Sequence, residues 1–106
     1  MATKKTEVTS STAKEFEESF SQVCRILTGI KDEQFMREFL DCLVSPAERK
    51  DLAKRWCLVK ALYAGTTQRE IAKKYNLSLC NITRGSKELK KENSAFRRVL
   101  EGEISY

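Results

Sequence analysis

The fold is decided by residues 67–91, which read TQREIAKKYNLSLCNITRGSKELKK. Thr67 and Glu70 have the three-residue spacing of a capping box, which predicts the start of a helix. Asn76 follows where a tight turn requires a positive φ, a conformation that asparagine tolerates better than most residues. Ser78 then offers a second N-cap. The stretch therefore predicts two short helices joined by a tight turn.

The apolar residues of this stretch give the two helices a common core. Ile71 and Tyr75 lie on one face of the first helix, and Ile82 follows on the second. Ala72 is small where the helices cross, and Leu77 closes the corner between them. This combination is typical of a helix-turn-helix, the motif that places its second helix in the major groove of DNA.

The second helix is predicted to expose a polar side that is suited to reading bases. That side consists of Cys80, Asn81, Thr83, Arg84 and Lys87. Short side chains at the start of the helix let its backbone approach base edges. Arg69, Lys73 and Lys74 flank it and are suited to phosphates, or in the case of Arg69 to a guanine. The alternative is a plain helical hairpin whose basic face is only solvated.

Positive charge is concentrated in the second part of the chain. Residues 1–46 carry 6 Lys and Arg against 8 Asp and Glu, whereas residues 47–106 carry 14 against 7. The net charge of +5 therefore comes entirely from the C-terminal part. Such a part is a candidate surface for a polyanion. Charge counts alone do not separate this function from a merely solvated basic face, so the motif and its spacing must decide.

The N-terminal part predicts an arm followed by two amphipathic helices. Residues 1–12 are mostly small, polar or basic and are expected to form a flexible arm. From residue 13 apolar residues recur at three- and four-residue steps, and Asp32 is expected to cap the next helix. The two apolar faces include Phe16, Phe20, Phe35 and Phe39. On so short a chain they need a cover, for which another subunit is a reasonable candidate.

The central and C-terminal residues predict the remaining helices. Ser45-Pro46-Ala47-Glu48 combines an N-cap, a proline at the first helical position and a capping box, and Gly65 ends the helix. Asn93 or Ser94 begins the last helix. The apolar residues of the central helix are Leu52, Trp56, Val59, Leu62 and Tyr63. We therefore expect an all-α fold of roughly six helices, with a single domain over residues 13–106 and the helix-turn-helix at about 67–91.

The composition argues against an enzyme and against a membrane protein. The chain has no His, which removes the commonest general base and metal ligand. Cys24, Cys42, Cys57 and Cys80 form no CxxC pair and are expected to be buried or half-buried thiols in a reducing cytoplasm. No run approaches 18 apolar residues, and the first residues lack the apolar core of a secretory signal. These features predict a cytoplasmic protein without catalytic activity, cofactor or metal.

Several strings in the chain resemble the bacterial Trp repressor family. They are Gln68-Arg69-Glu70, Ile82-Thr83-Arg84-Gly85-Ser86 and Leu89-Lys90, with Ser45-Pro46-Ala47-Glu48-Arg49, Arg55 and Gly65 upstream. The similarity covers roughly residues 38–101. It implies an intertwined all-α homodimer in which the N-terminal helices and the last helix of each subunit interlock. It also implies L-tryptophan as a corepressor, bound between the dimer core and each DNA-reading head.

The resemblance implies a tryptophan site that is built on two arginines. Arg55 and Arg84 would hold the indole between their guanidinium planes, an arrangement favoured by stacking and cation–π attraction. Arg84 would also pair with the ligand carboxylate. Gly85 would leave room for the ring against the backbone.

Four further residues complete the ligand site that the resemblance implies. Ser45 of the partner subunit would lie near the polar end of the ligand, and Cys42 and Leu43 would offer backbone carbonyls to its ammonium. Glu88 stands where the family has a small hydroxyl-bearing residue. Its carboxylate would pair either with the ligand ammonium or with Arg84, and the second pairing would weaken carboxylate binding.

For DNA, the resemblance implies two reading helices in successive major grooves, about 34 Å apart. Arg69 is expected to contact a base directly. The other DNA contacts are expected from Lys54, Arg55, Gln68, Lys73, Leu79, Cys80, Asn81, Thr83 and Lys90. Tryptophan would fix the otherwise mobile heads at this spacing, and the operator complex would repress genes of tryptophan supply.

Two other functions stay open on the sequence alone. The first is a helix-turn-helix regulator that is independent of tryptophan because Glu88 has changed or closed the pocket. The second is a helical protein-interaction or RNA-binding module with a basic face, which would discriminate poorly between duplex DNA and RNA.

Overall fold

The computed structural model describes residues 10–106, so residues 1–9 of the predicted arm lie outside the described residues. The α-helices are α1 (Ser10–Gly29), α2 (Glu33–Leu43), α3 (Pro46–Tyr63), α4 (Gln68–Tyr75), α5 (Leu79–Lys90) and α6 (Ala95–Arg98), and a π-helical turn, Val99–Glu103, follows them. No residue from 10 to 106 forms a strand. The prediction of an all-α fold with about six helices is confirmed.

The chain divides into two compact units, with the boundary between Leu43 and Val44. In the first unit α1 begins at Ser10, whereas the apolar pattern predicted a start at residue 13. The apolar pattern begins later than the helix because the residues of the first turn are polar and show no apolar periodicity. Asp32 caps α2 as predicted, since the backbone N–H of Phe35 donates to its carboxylate over 2.9 Å.

The two helices of the first unit have exposed apolar faces. No residue of α1 or α2 is buried in the single chain. The large apolar side chains that are well exposed include Phe16, Phe20, Ile26, Phe35 and Leu43. These faces include the Phe-rich stripes that the sequence predicted to need a cover, and they offer apolar surface that a partner could bury.

The second unit begins with the predicted capping box of α3. The N–H of Glu48 donates to the Ser45 hydroxyl over 3.1 Å, and the N–H of Ser45 donates to the Glu48 carboxylate over 2.8 Å. Pro46 stands at the start of the helix, where its missing N–H costs no hydrogen bond. The backbone and side-chain hydrogen bonds of Ser45 lower the pKa of Glu48 below its ordinary value, because they stabilise the carboxylate.

We expect this capping box to open at acid pH. Because the folded-state pKa of Glu48 is lowered, its contribution to the free energy of unfolding is complete above the ordinary Glu value. That contribution is lost as the pH falls through the lowered folded-state value. In Ser45→Ala, the titration midpoint of Glu48, followed by carboxyl NMR, should move up toward that of unfolded Glu. The rise should be partial, because the N–H of Ser45 still donates to the Glu48 carboxylate in this variant. The control Ser86→Ala, on α5, should leave the midpoint in place; an unmoved midpoint in Ser45→Ala would show that the Ser45 hydroxyl does not contribute to the lowered pKa.

Helix α3 ends at the predicted glycine. The N–H of Gly65 donates to the carbonyl of Leu62 over 3.1 Å, and the N–H of Thr66 donates to that of Ala61 over 2.9 Å. This pair of hydrogen bonds is the Schellman motif, and it requires a left-handed residue between helix and loop. Gly65 provides that conformation, with φ 93°, at no steric cost.

The helix-turn-helix has the predicted local structure. Thr67 caps α4 by accepting from the N–H of Glu70 over 3.2 Å, while the Thr67 N–H donates to the Glu70 carboxylate over 3.3 Å. Asn76 ends α4 in the left-handed conformation, with φ 53° and ψ 53°. Ser78 caps α5, since its hydroxyl accepts from the N–H of Asn81 over 3.2 Å.

The core of the second unit lies where α3, α4 and α5 meet. Ile71 and Ile82 are completely buried, and Leu58 of α3 joins them in one cluster. The predicted partners Ala72, Tyr75 and Leu77 pack against this cluster from the edge. The two helices of the motif are therefore held together by α3 as well as by each other.

The buried residues of helix α3 agree with the predicted apolar set at Val59 and differ from it at Leu52, Leu58 and Tyr63. Leu52 and Tyr63 are each 47% exposed, whereas Leu58 and Val59 are buried. The reason is that α3 is covered on more than one side: α4 and α5 pack against it, and Trp56 packs toward the C-terminal residues. A helix that is covered in this way has no single apolar stripe, so periodicity misplaces its core.

The C-terminal residues fold back against α3 and α5. Ser94 caps α6 by accepting from the N–H of Arg97 over 3.3 Å, which confirms one of the two predicted starts of the last helix. The Arg97 guanidinium donates to the carbonyl of Leu89, at the end of α5, over 3.0 Å. The rings of Trp56 and Phe96 have centroids 6.4 Å apart. These contacts hold α6 beside the motif and allow Phe96 to form part of a pocket.

Candidate nucleic-acid interface and ligand pocket

The first turn of α5 is open to solvent, as a DNA-reading helix requires. Leu79 is 67% exposed, and Cys80, Asn81 and Thr83 are exposed as well. On the same helix Ile82 is completely buried, so the core determines which face of α5 points outward. The exposed turn presents mostly short side chains, which allow close approach to base edges.

The other residues predicted to contact DNA are accessible to different degrees. Gln68, Arg69 and Lys73 on α4, Arg55 on α3 and Lys90 at the end of α5 are exposed, whereas Lys54 on α3 is half-buried. Helices α3 and α4 both pack against α5. Most of these cations therefore lie on the helices that support the open first turn, and Lys90 lies at the other end of α5; phosphate contacts from such positions would orient the turn.

A pocket of about 410 Å³ lies between α3, α5 and α6. Its lining consists of Arg55, Leu58, Val59, Asn81, Arg84, Gly85, Glu88 and Phe96. The volume falls in the range of small-molecule sites, and the lining combines apolar with charged side chains. The structure thus brings four of the predicted tryptophan residues, Arg55, Arg84, Gly85 and Glu88, into one pocket.

The guanidinium groups of the pocket have no partner within the described chain. Among residues 10–106, neither Arg55 nor Arg84 forms an ion pair or a side-chain hydrogen bond. Glu88 pairs with Lys91 instead of Arg84, with 3.0 Å between Oε2 and Nζ. Two free guanidinium groups on facing helices suit a ligand that has both a carboxylate and an aromatic ring.

Gly85 lies at the close approach of α5 to α3. A Cβ at this position would lie 3.0 Å from Cδ2 and 3.4 Å from Cγ of Leu58. Since Leu58 is itself part of the buried core, it has little freedom to move away. A glycine here therefore permits the helix packing and also keeps the pocket wall free of side-chain atoms.

We expect Gly85→Val to lower the free energy of unfolding by about 1–3 kcal/mol, as overpacking of a core does. Gly85→Ala should change it by less than about 1 kcal/mol, because the gain in helix propensity offsets the tight contact with Leu58. Urea unfolding measures both values. The matched control is Gly29→Val, since no described atom lies within 4 Å of a Cβ at Gly29. Equal destabilisation by the two valine variants would show that close packing is not the cause.

The remaining predicted tryptophan residues do not line this pocket. Ser45 uses its hydroxyl to cap α3. Cys42 and Leu43 lie on α2 in the first unit and are exposed. Their predicted roles concern a partner subunit or the backbone of the first unit, and they stay predictions.

Two pocket residues were not among the predicted ligand residues. Asn81 is predicted only as a DNA contact, although it shares a face of α5 with Arg84, Gly85 and Glu88 at helical spacing. This spacing is the sequence signal that points to the pocket. Phe96 reaches the pocket because α6 folds back beside α3, a tertiary effect that local sequence does not encode.

The prediction that the cysteines are buried or half-buried is wrong for three of the four. Cys24, Cys42 and Cys80 are exposed, and only Cys57 is half-buried. The first two lie on the uncovered helices of the first unit, and Cys80 lies in the open first turn of α5.

Two further features concern the whole described part of the chain. Within residues 10–106, no group of His, Cys, Asp and Glu side chains is arranged to hold a metal ion. None of the helices in that range is both long and apolar enough to cross a membrane.

The fold and its motif define a helix-turn-helix protein, and comparison with known proteins identifies its family. The family model described as "Trp repressor protein" matches residues 18–104. The chain therefore belongs to the Trp repressor family, which is a family of transcriptional regulators, and this membership supports a repressor role. The solved structures contain no match to this chain.

Relatives in two groups of organisms bear the name "Trp operon repressor homolog". One from Chlamydia trachomatis serovar L2 is 39% identical over 88 residues, 82% of this chain and 90% of the relative. One from Chlamydia caviae is 35% identical over 85 residues, 79% of this chain and 84% of the relative. One from Xylella fastidiosa strain M23 is 31% identical over 91 residues, which are 85% of this chain and 97% of the relative.

Proposed function

We propose that this protein is a repressor whose binding to operator DNA is activated by L-tryptophan, and that it acts in the cytoplasm on genes of tryptophan supply. One observation carries the proposal: the unpaired guanidinium groups of Arg55 and Arg84 line a pocket with Gly85, next to the open turn of α5. The name of the relatives, "Trp operon repressor homolog", supports the same function.

The pocket offers counterparts for the indole ring and for the carboxylate of tryptophan. A guanidinium plane attracts an indole by stacking and by cation–π interaction, so Arg55 and Arg84 are suited to the ring. Leu58, Val59 and Phe96 add apolar surface around it. The ligand carboxylate is suited to a charge-assisted pair with Arg84.

The pocket and the DNA-reading turn share helix α5, so a ligand in the pocket can affect how this helix meets DNA. Arg84 and Gly85 line the pocket, and Thr83 and Cys80 lie on the exposed part of α5. A ligand that contacts α3 and α5 together favours one arrangement of the two helices. It shifts the population toward that arrangement by the difference between its affinities for the two states. Operator binding tightens if the favoured arrangement is the one that fits the major groove.

The proposed assembly is a homodimer that covers the exposed apolar faces of α1 and α2. Phe16, Phe20 and Phe35 are each more than half exposed in the single chain. Apolar surface of this kind is a common site of association, and a two-fold dimer presents two reading helices. Their required separation is about 34 Å, one turn of DNA. Sedimentation should give twice the chain mass of 12.2 kDa.

A gel-shift titration tests the function directly. The duplex carries the promoter of a tryptophan-related operon, and the salt concentration is fixed because DNA affinity depends steeply on it. Binding should tighten clearly when L-tryptophan is added. A duplex of the same composition in scrambled order is the control, and it should show weak binding with or without the ligand. Absence of specific binding under both conditions would refute the proposal.

The ligand site is tested by calorimetry on Arg84→Ala. This variant should lose tryptophan binding while its helical content and unfolding transition stay those of the wild type, because Arg84 is exposed and has no partner to lose. The control is Lys87→Ala, an exposed cation on the same helix that does not line the pocket between α3, α5 and α6. Normal tryptophan binding by Arg84→Ala would refute the assignment of the site.

The second candidate function is a helix-turn-helix regulator that ignores tryptophan. The observation that favours it is the carboxylate of Glu88, which lines the same pocket as Arg84 and brings a negative charge to the place where a ligand carboxylate would bind. An operator affinity that stays the same throughout the tryptophan titration would identify this second function as the right one.

A further inference from the structure

The last residues of the chain turn back toward α3. At Gly102 the backbone has φ 104° and ψ 11°, a left-handed conformation that costs glycine little, and Ile104 beyond it is extended. The bend brings the ring of Tyr106 to that of Trp56 on α3, with centroids 5.6 Å apart and planes at 77°. Edge-to-face contact is a favoured geometry for an aromatic pair. Residues 99–106 therefore form a C-terminal strap that is docked on α3.

An ion pair closes the bend of the C-terminal strap. Arg98, at the end of α6, and Glu103, after Gly102, lie on the two sides of the bend. Nε of Arg98 donates to Oε2 of Glu103 over 2.7 Å, and Nη2 donates to Oε1 over 2.8 Å. Two such hydrogen bonds fix the relative orientation of the two groups. Both side chains are 51% exposed, so the pair orients the strap and contributes little to the stability of the fold.

Trp56 connects the C-terminal strap with the pocket between α3, α5 and α6. Its ring also contacts that of Phe96, with centroids 6.4 Å apart, and Phe96 lines the pocket. Helix α6 has only four residues, too few to be stable without tertiary contacts. One such contact joins it to α5, where the Arg97 guanidinium donates to the carbonyl of Leu89. A second is the contact of Phe96 with Trp56, and the strap holds Trp56 through Tyr106.

We propose that the C-terminal strap is a positioning device for the ligand pocket: by packing Tyr106 on Trp56 it keeps the Phe96 wall in place. None of residues 99–106 lines the pocket, so they act on a ligand only through these aromatic contacts. Because its ion pair is exposed, the strap exchanges between a docked and a released state. The affinity for a ligand that needs the Phe96 wall is reduced in proportion to the docked fraction. This inference rests on the proposed function, since it concerns the ligand of that same pocket.

Calorimetry with L-tryptophan tests this role on variants of the strap. Tyr106→Ala should weaken binding about three- to tenfold, the range for loss of an aromatic pair, and Tyr106→Phe, which keeps the ring, should bind like the wild type. Glu103→Gln should weaken binding about two- to fivefold. The exchange Arg98→Glu/Glu103→Arg should recover most of that loss, because it restores the pair with its charges reversed. The matched control is Glu101→Gln, an exposed carboxylate outside the pair, which should leave the affinity unchanged.

The fluorescence emission of Trp56 measures docking of the strap in the absence of ligand. Trp56 is the only tryptophan of the chain, so the emission comes from the ring that Tyr106 contacts. It should shift to longer wavelength in Tyr106→Ala and Glu103→Gln, as water reaches the ring, and stay in place in Tyr106→Phe and Glu101→Gln. All measurements are made at a temperature at which circular dichroism shows every variant fully helical, so that weaker binding is not due to unfolding.

Two results would overturn the inference and leave the proposed function standing. One is a shifted emission in Tyr106→Ala and Glu103→Gln with unchanged tryptophan affinity, which would mean that the strap docks but does not position Phe96. The other is an unchanged emission in both variants, which would mean that the strap is not docked on Trp56. If the wild type binds no tryptophan, the proposed function fails, and the inference fails with it.

Discussion

Raising the salt concentration from 50 to 200 mM is expected to weaken operator binding about a thousandfold. The reason is the release of counterions from the DNA when cationic side chains neutralise its phosphates. The proposed homodimer is expected to make about six such contacts in total, from Lys54, Arg55 and Lys90 of its two protomers. This number predicts a slope of about −5 in log affinity against log salt.

Charge-neutralising variants make this expectation specific. Lys54→Gln removes one contact per protomer and should reduce the slope of the homodimer by about 2. The matched control is Lys14→Gln on α1, which removes an exposed charge that is not among the expected DNA contacts and should leave the slope unchanged. The measurement is a fluorescence-anisotropy titration of labelled operator at four or five salt concentrations and saturating tryptophan.

Different slopes separate the competing interpretations of the basic surface. A slope shallower than about −2 would mean that these cations only solvate the helices and make few phosphate contacts. Equal affinities for operator, scrambled duplex and duplex RNA would instead identify a general polyanion-binding module. Only a steep slope together with a preference for operator DNA fits a sequence-specific repressor.

The sequence predicts best those features that a few neighbouring residues determine. Thr67, Asn76 and Ser78 act through hydrogen bonds and dihedral angles within their own turn, and the structure has each of them in its predicted role. The same holds for Gly65, whose left-handed φ ends α3. Helix caps and turn residues of this kind need no partner from elsewhere in the chain, so their spacing in the sequence is enough to predict where a helix begins or ends.

Features that depend on packing between distant elements are predicted less well. Leu58 is buried because α4 and α5 both cover that side of α3, and periodicity alone pointed to the half-exposed Leu52. Phe96 enters the pocket through the fold-back of α6. The sequence left the partner of Glu88 open between Arg84 and the ligand ammonium, and the structure pairs it with Lys91 instead. In each case the missing information is which surfaces meet, and one sequence contains little of it.

The largest effect on stability is expected from Ile82→Ala, which should lower the free energy of unfolding by about 2–5 kcal/mol. Ile82 is completely buried between Leu58 and Ile71, where three helices meet, so removal of its outer carbon atoms leaves a cavity that these neighbours cannot fill without moving helices. Small domains are stable by only about 5–15 kcal/mol, so this variant should unfold at a clearly lower urea concentration than the wild type and should bind operator more weakly wherever it is partly unfolded. Urea unfolding followed by circular dichroism measures the loss.

The matched control is Leu79→Ala on the same helix, because it removes similar carbon atoms from a side chain that is 67% exposed. Its unfolding free energy should stay within about 0.5 kcal/mol of the wild type.

The two variants then separate the role of the buried face of α5 from that of its exposed face. Ile82→Ala should lose operator binding in proportion to its unfolded fraction and regain it on cooling or with excess tryptophan, since a ligand that binds only the folded state stabilises it. Leu79→Ala should change DNA affinity without a change in stability. If both variants were equally stable, α5 would not be anchored by Ile82, and the outward orientation of its polar face would need another cause.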